Sequence, residues 1–245
     1  MIKFFRHIRK QLLEEGKTGK YFKYAIGEIL LVMIGILLAL QVNNWNENKK
    51  SLERETIYLQ GLKEDFIISQ KALDRVIKKS DRVEETIAYL IDIIKQNPSK
   101  VKAENMDSLL LSSSGYTIFM SSEGVINDII GSGQLGLIKN VYIRKEIASW
   151  EANLKMIRAR ETLGKEWVEN YKTQYYQYLD IANLEYEKKA FISNKTNEIL
   201  DDVQLRNSLM DILDNSYVLN QLYLEKQKHI DTLIQVIDKE LRVYD

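Results

Sequence analysis

Hydrophobic positions along this chain fall into one continuous run and three periodic ones. The continuous run is Ala25 to Val42, AIGEILLVMIGILLALQV, with Glu28 as its only charge and 11 Leu, Ile or Val among 18 residues. As helix, it rises about 27 Å, close to the roughly 30 Å of hydrocarbon in a bilayer. Its aliphatic residues contribute roughly −3 to −7 kcal/mol to insertion, against about +2.5 to +3.5 kcal/mol for a central carboxylate. Insertion wins, and Glu28 lies near one end, where snorkelling or protonation lowers its cost. Residues 24–45 are therefore expected to form a transmembrane helix.

The three periodic runs predict long helices. From residue 52 to 94 a heptad places Leu52, Leu59, Phe66, Leu73, Ile87 and Ile94 at one seam position and Leu62, Val76, Val83 and Leu90 at the other; Glu55, Ser69 and Ser80 are its polar interruptions. Asn97 and Pro98 end this helix, and Gly61 is a soft point within it. A second helix starts after Asn140 as N-cap and continues to Tyr178, its seam broken only at Glu161 and Gly164. A third covers about 202–243, with Leu209, Ile212, Leu219, Tyr223, Ile230, Leu233 and Ile237 on its apolar side. Between the first two, residues 99–139 read as short helices ended by Gly115 and Gly131 with YTIFM as an extended or irregular piece between them. The expected fold is all-α: one N-terminal transmembrane helix, then an elongated antiparallel bundle of about three long helices running out, back and out. Residues 99–139 would form a small helical lobe at the membrane-distal end, and residues 180–201 would turn the chain near the membrane.

Composition narrows this picture. One proline and 11 glycines in 245 residues argue against Pro-rich linkers and densely turned β-sandwiches. The absence of cysteine excludes disulfides and thiolate chemistry. Net charge is zero, but Lys3, Arg6, Arg9, Lys10, Lys17, Lys20 and Lys23 precede the apolar run against Glu14 and Glu15. This local excess reads as a membrane flank rather than a nucleic-acid surface, and it places the N-terminus in the cytoplasm. Residues 1–23 form a basic amphipathic segment suited to the cytoplasmic leaflet. No small-x-small cleavage pattern follows Leu40, so the run is read as an uncleaved anchor. Glu28, Gly35 and Ala39 share a helical face on which a second span can approach closely.

Two blocks, GKTGKYFKYAIGEILLVMIGILLALQVNNWNE and GSGQLGLIKNVYIRKEIASW, resemble an uncharacterised family of single-span membrane proteins from Bacteroidetes. The resemblance implies an inner-membrane anchor with a periplasmic body, residues 46–245, and supplies no activity.

The chemical motifs are weak. GSGQLG, residues 131–136, matches the dinucleotide string G-x-G-x-x-G, but that chemistry needs a strand before it, and GVINDII is more helical. Gly16-Lys17-Thr18 lacks the first glycine of a phosphate loop. His7 and His229 fall on opposite sides of the expected membrane. Paired acids such as Glu84 and Glu85 point apart on a helix, while Glu161 stands out by interrupting a seam beside Gly164. No catalytic residue, cofactor, metal or small-molecule substrate is indicated, and no enzyme is expected. The tyrosine-rich run 171–191 suits either bundle packing or a partner patch, for which Tyr176 and Tyr186 are the candidates. The functional expectation is a membrane-anchored periplasmic interaction or scaffold protein whose partners are the lipid bilayer and a second copy or an envelope protein. The alternative is a sensor subunit signalling through its single span.

Overall fold

The computed structural model describes residues 18–96, 103–178 and 196–244, and no strand occurs among them. The helices are α1 (Thr18–Gln96), α2 (Ala103–Ser113), α3 (Gly124–Gly131), α4 (Val141–Ala148), α5 (Trp150–Tyr175), α6 (Thr196–Asp201) and α7 (Val203–Tyr244), with a 3-10 turn at Gln134–Leu137. The chain divides into two units, Met1–Glu55 and Thr56–Asp245, and α1 contributes residues to both. Residues 1–17 of the basic amphipathic segment, Tyr186, Asn97, Pro98 and most of the stretch 180–201 lie outside the described residues.

In the first unit the apolar run is helical and uncovered. None of its most apolar 18-residue window is buried, and Ile29, Leu31, Val42 and Trp45 are all more than half exposed. This is one helix near the N-terminus long and apolar enough to cross a membrane.

The second unit is the all-α bundle expected from the seams. One core cluster joins Leu59, Leu62, Phe66 and Leu73 of α1 to Ile143, Ile147, Trp150 and Leu154, and to Leu219, Tyr223, Ile230 and Leu233 of α7. The other joins Val83, Ile87 and Leu90 to Met106 and Leu110 of α2, to Val168, Tyr171 and Tyr175 of α5, and to Leu205, Leu209 and Ile212 of α7. These groupings fix direction. Lys63 pairs with Asp238, Gln70 with Asp231, Asp74 with Gln227 and Asp81 with Asn220, so α7 runs antiparallel to α1. Tyr223 reaches Glu161 and Ser208 reaches Gln174, so α7 is antiparallel to α5 as well. It follows that α4 and α5 run parallel to α1, and the path is not out, back and out.

The return leg is the segment before α4. Short α2 sits at the Leu90 end, as a small lobe would, but residues 115–134 then travel the length of the bundle instead of gathering there. Gly115 meets Val83, Ser121 and Ser122 meet Ser69, Val125 meets Asp65, and Gln134 meets Tyr58. The 25 residue steps of α1 from Tyr58 to Val83 rise about 37 Å, covered in 19 steps by the returning chain. That requires about 2 Å per residue, more than the 1.5 Å of an α-helix, and an extended stretch must supply the difference. Thr117 and Phe119 are buried while Ile118 and Met120 are exposed, the alternation of an extended chain. The described flanks on either side of residues 179–195, the end of α5 and α6, both lie at the Leu90 end, because Tyr175 and Ile199 share a cluster with Leu90.

An extended segment outside a sheet must find partners for its backbone elsewhere. Ser69 Oγ accepts from Ser122 N at 2.9 Å, and Glu161 Oε1 accepts from Phe119 N at 2.6 Å. Two of the polar interruptions in the seams therefore hold the return leg. Asp65 caps α3 from another helix, accepting from Val125 N at 2.8 Å and Ser122 Oγ at 2.7 Å, which frees Glu123 to pair with Arg158 at 2.9 Å. Gly61 is not a soft point: α1 continues through it, and a Cβ there would lie 3.0 Å from Val125 Cγ2, so its bareness admits the return leg. Asn140 caps α4 through Ile143 N at 3.1 Å, and the single helix expected from there is broken at Ser149.

Candidate functional site

Two of the buried polar centres among the described residues of the bundle surround Glu161 and Lys226. The first surrounds Glu161 of α5, whose Oε1 also accepts from the Tyr223 hydroxyl at 2.7 Å; Thr117 Oγ1 lies 3.1 Å from the same hydroxyl. Burial pushes the Glu161 carboxyl above its usual range, against the pull of both hydrogen bonds and of Arg158. Burial likewise raises the Tyr223 phenol. A cavity of about 10 Å³, room for about one water molecule, adjoins Glu161, Thr117, Ser80, Gly164 and Asn215. A Cβ on Gly164 would come within 2.5 Å of Asn215 Nδ2, so the seam glycine makes space for this amide, which donates to Arg160 O at 3.3 Å. Glu161 was legible in the sequence as an oddity; its role as an anchor for Phe119 was not, because it depends on a chain segment 42 residues away.

The second centre is built on Lys226 of α7. Sequence reading passed over it, although a signal existed: Lys226 falls at a seam position between Leu219, Tyr223, Ile230 and Leu233. It is 5 % exposed, and its Nζ lies 3.6 Å from the centre of the Trp150 ring. Neither Lys226 Nζ nor Trp150 Nε1 has a hydrogen-bond partner among the described residues. Burial lowers the Lys226 ammonium to about 8, although Glu146 and Glu123 favour the charged form. His229, one turn on, contacts Glu146 at 3.0 Å, and burial together with the Lys226 charge depresses its pKa against the pull of Glu146. A cleft of about 220 Å³ opens between α5 and α7 beside these groups.

The other candidates are placed as follows. Glu28, Gly35 and Ala39 lie on the uncovered helix, with open space where a Cβ on Gly35 would project. Tyr171 and Tyr175 are fully buried core residues, whereas Tyr176 is 48 % exposed. GSGQLG follows helix α3, not a strand, and Gly133 within it has φ +69°, a left-handed turn that glycine adopts without strain. That geometry makes the motif a helix stop. Among the described residues no group of three or more His, Asp or Glu is placed to hold a metal ion.

No curated protein and no solved structure matches this chain. Residues 28–227, which take in most of the apolar run, the Glu161 centre, Lys226 and the return leg, match a family of unknown function, DUF6090, and the chain belongs to that family.

Proposed function

We propose that this protein is a single-pass membrane protein of the bacterial envelope, with residues 24–45 across the lipid bilayer, the N-terminus cytoplasmic and the helical body periplasmic. It acts through helix-mediated contacts as a scaffold or accessory subunit, either with a second copy or with another envelope protein. The observation that carries the reading is the apolar window of α1, none of which is buried, in a protein whose other seams are well buried among the described residues. An apolar surface of this length in water would be a large standing penalty, and hydrocarbon removes it. The basic flank supports the orientation, and the Bacteroidetes resemblance supports an inner-membrane location.

Alkaline carbonate extraction of cell membranes tests the anchor: the protein should stay in the pellet and need detergent for release. The chain lacks cysteine, so single-cysteine reporters at Arg9 and Gln60 can test the orientation, with only the second labelled from outside the inner membrane. Release by carbonate, or labelling of the first, would end this reading. Mild-detergent purification followed by Tyr176→Ala tests the contact surface; retention of every partner would remove Tyr176 from it. A second reading, a sensor subunit, is favoured by the cleft beside Lys226, where a ligand would bridge α5 and α7.

A further inference from the structure

We propose that the cleft between α5 and α7, lined by Lys226 and His229 together with Met156, Ile157 and Leu222, binds a small organic carboxylate with an apolar body. All of these residues belong to the unit Thr56–Asp245, so the inference holds whether or not the apolar run crosses a bilayer.

A buried ammonium ordinarily has a hydrogen-bonded counterion, because transferring the charge from water without one is expensive. Lys226 has instead the face of Trp150, a cation–π contact that compensates part of that loss and uses none of the three N–H donors. Trp150 Nε1 adds another buried donor without an acceptor. The centre holds two buried donors without a hydrogen-bonded acceptor, and the carboxylates whose charges favour the ammonium, Glu146 and Glu123, make their hydrogen bonds to other groups. Glu146 is held by His229 at 3.0 Å and Asn153 at 3.4 Å, and Glu123 by Arg158. An incoming anion would supply the missing acceptor once the flexible Lys226 side chain turns from the ring toward the cleft it borders.

The surroundings define the anion. With Glu146 already near the ammonium, His229 held toward neutrality and Glu225 at the border, the site has room for one added negative charge at most, which disfavours a dianion such as phosphate. Met156 is 60 % exposed beside buried Ile157, giving the cleft an apolar side for a short hydrocarbon or aromatic body. About 220 Å³ is below the range for drug-sized ligands and suits a small one.

The test is ligand-observed NMR titration of the purified full chain with acetate, butyrate, benzoate and, as the uncharged control, benzamide. Butyrate and benzoate should bind saturably with dissociation constants of about millimolar or lower. Butyrate should bind more tightly than acetate by about fourfold per methylene buried, and benzamide should not bind. Lys226→Met, which replaces the ammonium by a side chain of similar length, should abolish binding without lowering the melting temperature. Met156→Trp, at an exposed position, should block the cleft and abolish binding while leaving the core untouched. Failure of the unaltered chain to bind butyrate or benzoate saturably, equal binding of benzamide, or binding that survives either substitution would overturn the proposal. None of these results bears on carbonate extraction, so the two readings fail separately.

Discussion

Replacing Glu161 by Ala removes the acceptor shared by Phe119 N and the Tyr223 hydroxyl, at 2.6 and 2.7 Å. Tyr223 keeps Thr117 as a neighbour, so its loss is partial, but the Phe119 amide is left buried and unpaired. A stranded buried donor costs about 1–3 kcal/mol, and the space vacated by the side chain adds to it. Relief from burying a carboxylate, visible in its raised pKa, offsets part of this. The expected net loss is about 2–4 kcal/mol. At about 2–4 °C per kcal/mol for a chain of this size, the helical circular dichroism signal should melt roughly 5–15 °C earlier. Glu161→Gln keeps a carbonyl acceptor and should lose about 1 kcal/mol or less. The pH dependence separates charge from contact. With its folded pKa raised, Glu161 binds more protons folded than unfolded, so stability rises as pH falls through the folded value toward the unfolded one, and Gln should flatten that rise. An Ala variant melting within about 2 °C of the original, or a Gln variant as damaged as Ala, would refute the assignment of Glu161 as anchor of the return leg.

Three further outcomes follow from the same geometry. Gly164→Ala in an open helix would add about 1 kcal/mol of stability, but here the new Cβ lands 2.5 Å from Asn215 Nδ2; urea titration should show a loss of about 1–3 kcal/mol, largely restored by adding Asn215→Ser. His229, with its folded pKa lowered, should titrate below an unperturbed histidine in NMR, and its contribution to stability should be present near neutral pH and lost as pH falls through the unfolded value toward the folded one; Glu146→Gln should lower its pKa further. Cysteines placed at Tyr58 and Gln134, whose side chains meet at 3.1 Å, should be joined by a short bismaleimide, whereas cysteines at Tyr58 and Tyr175 should not, because those residues belong to different core clusters.

The seams themselves were readable because helical periodicity is a local property. Leu59, Phe66, Ile87, Ile143, Leu154, Leu209 and Leu233 are buried where a repeat of three and four residues places them. Asn140 was legible as a cap because its side chain serves an amide three residues on. Lys226 stood at a seam position in plain view. What sequence could not supply was its setting, since the Trp150 ring beneath it comes from another helix.

The sequence alone therefore located the long helical stretches and determined which faces of them are oily and that one helix carries an apolar run long enough for a bilayer, but not the break at Ser149. Direction was decided only in three dimensions, because an apolar stripe reads the same from either end, and a helix packed parallel buries it as well as one packed antiparallel. The return of residues 115–134 along α1 is set by contacts across 50 to 80 residues, with Ser69, Asp65 and Tyr58 meeting partners that no local pattern names. Those same long-range meetings turned seam interruptions into anchors and left one ammonium buried without an acceptor, because tertiary packing, not spacing, decides which polar groups find each other.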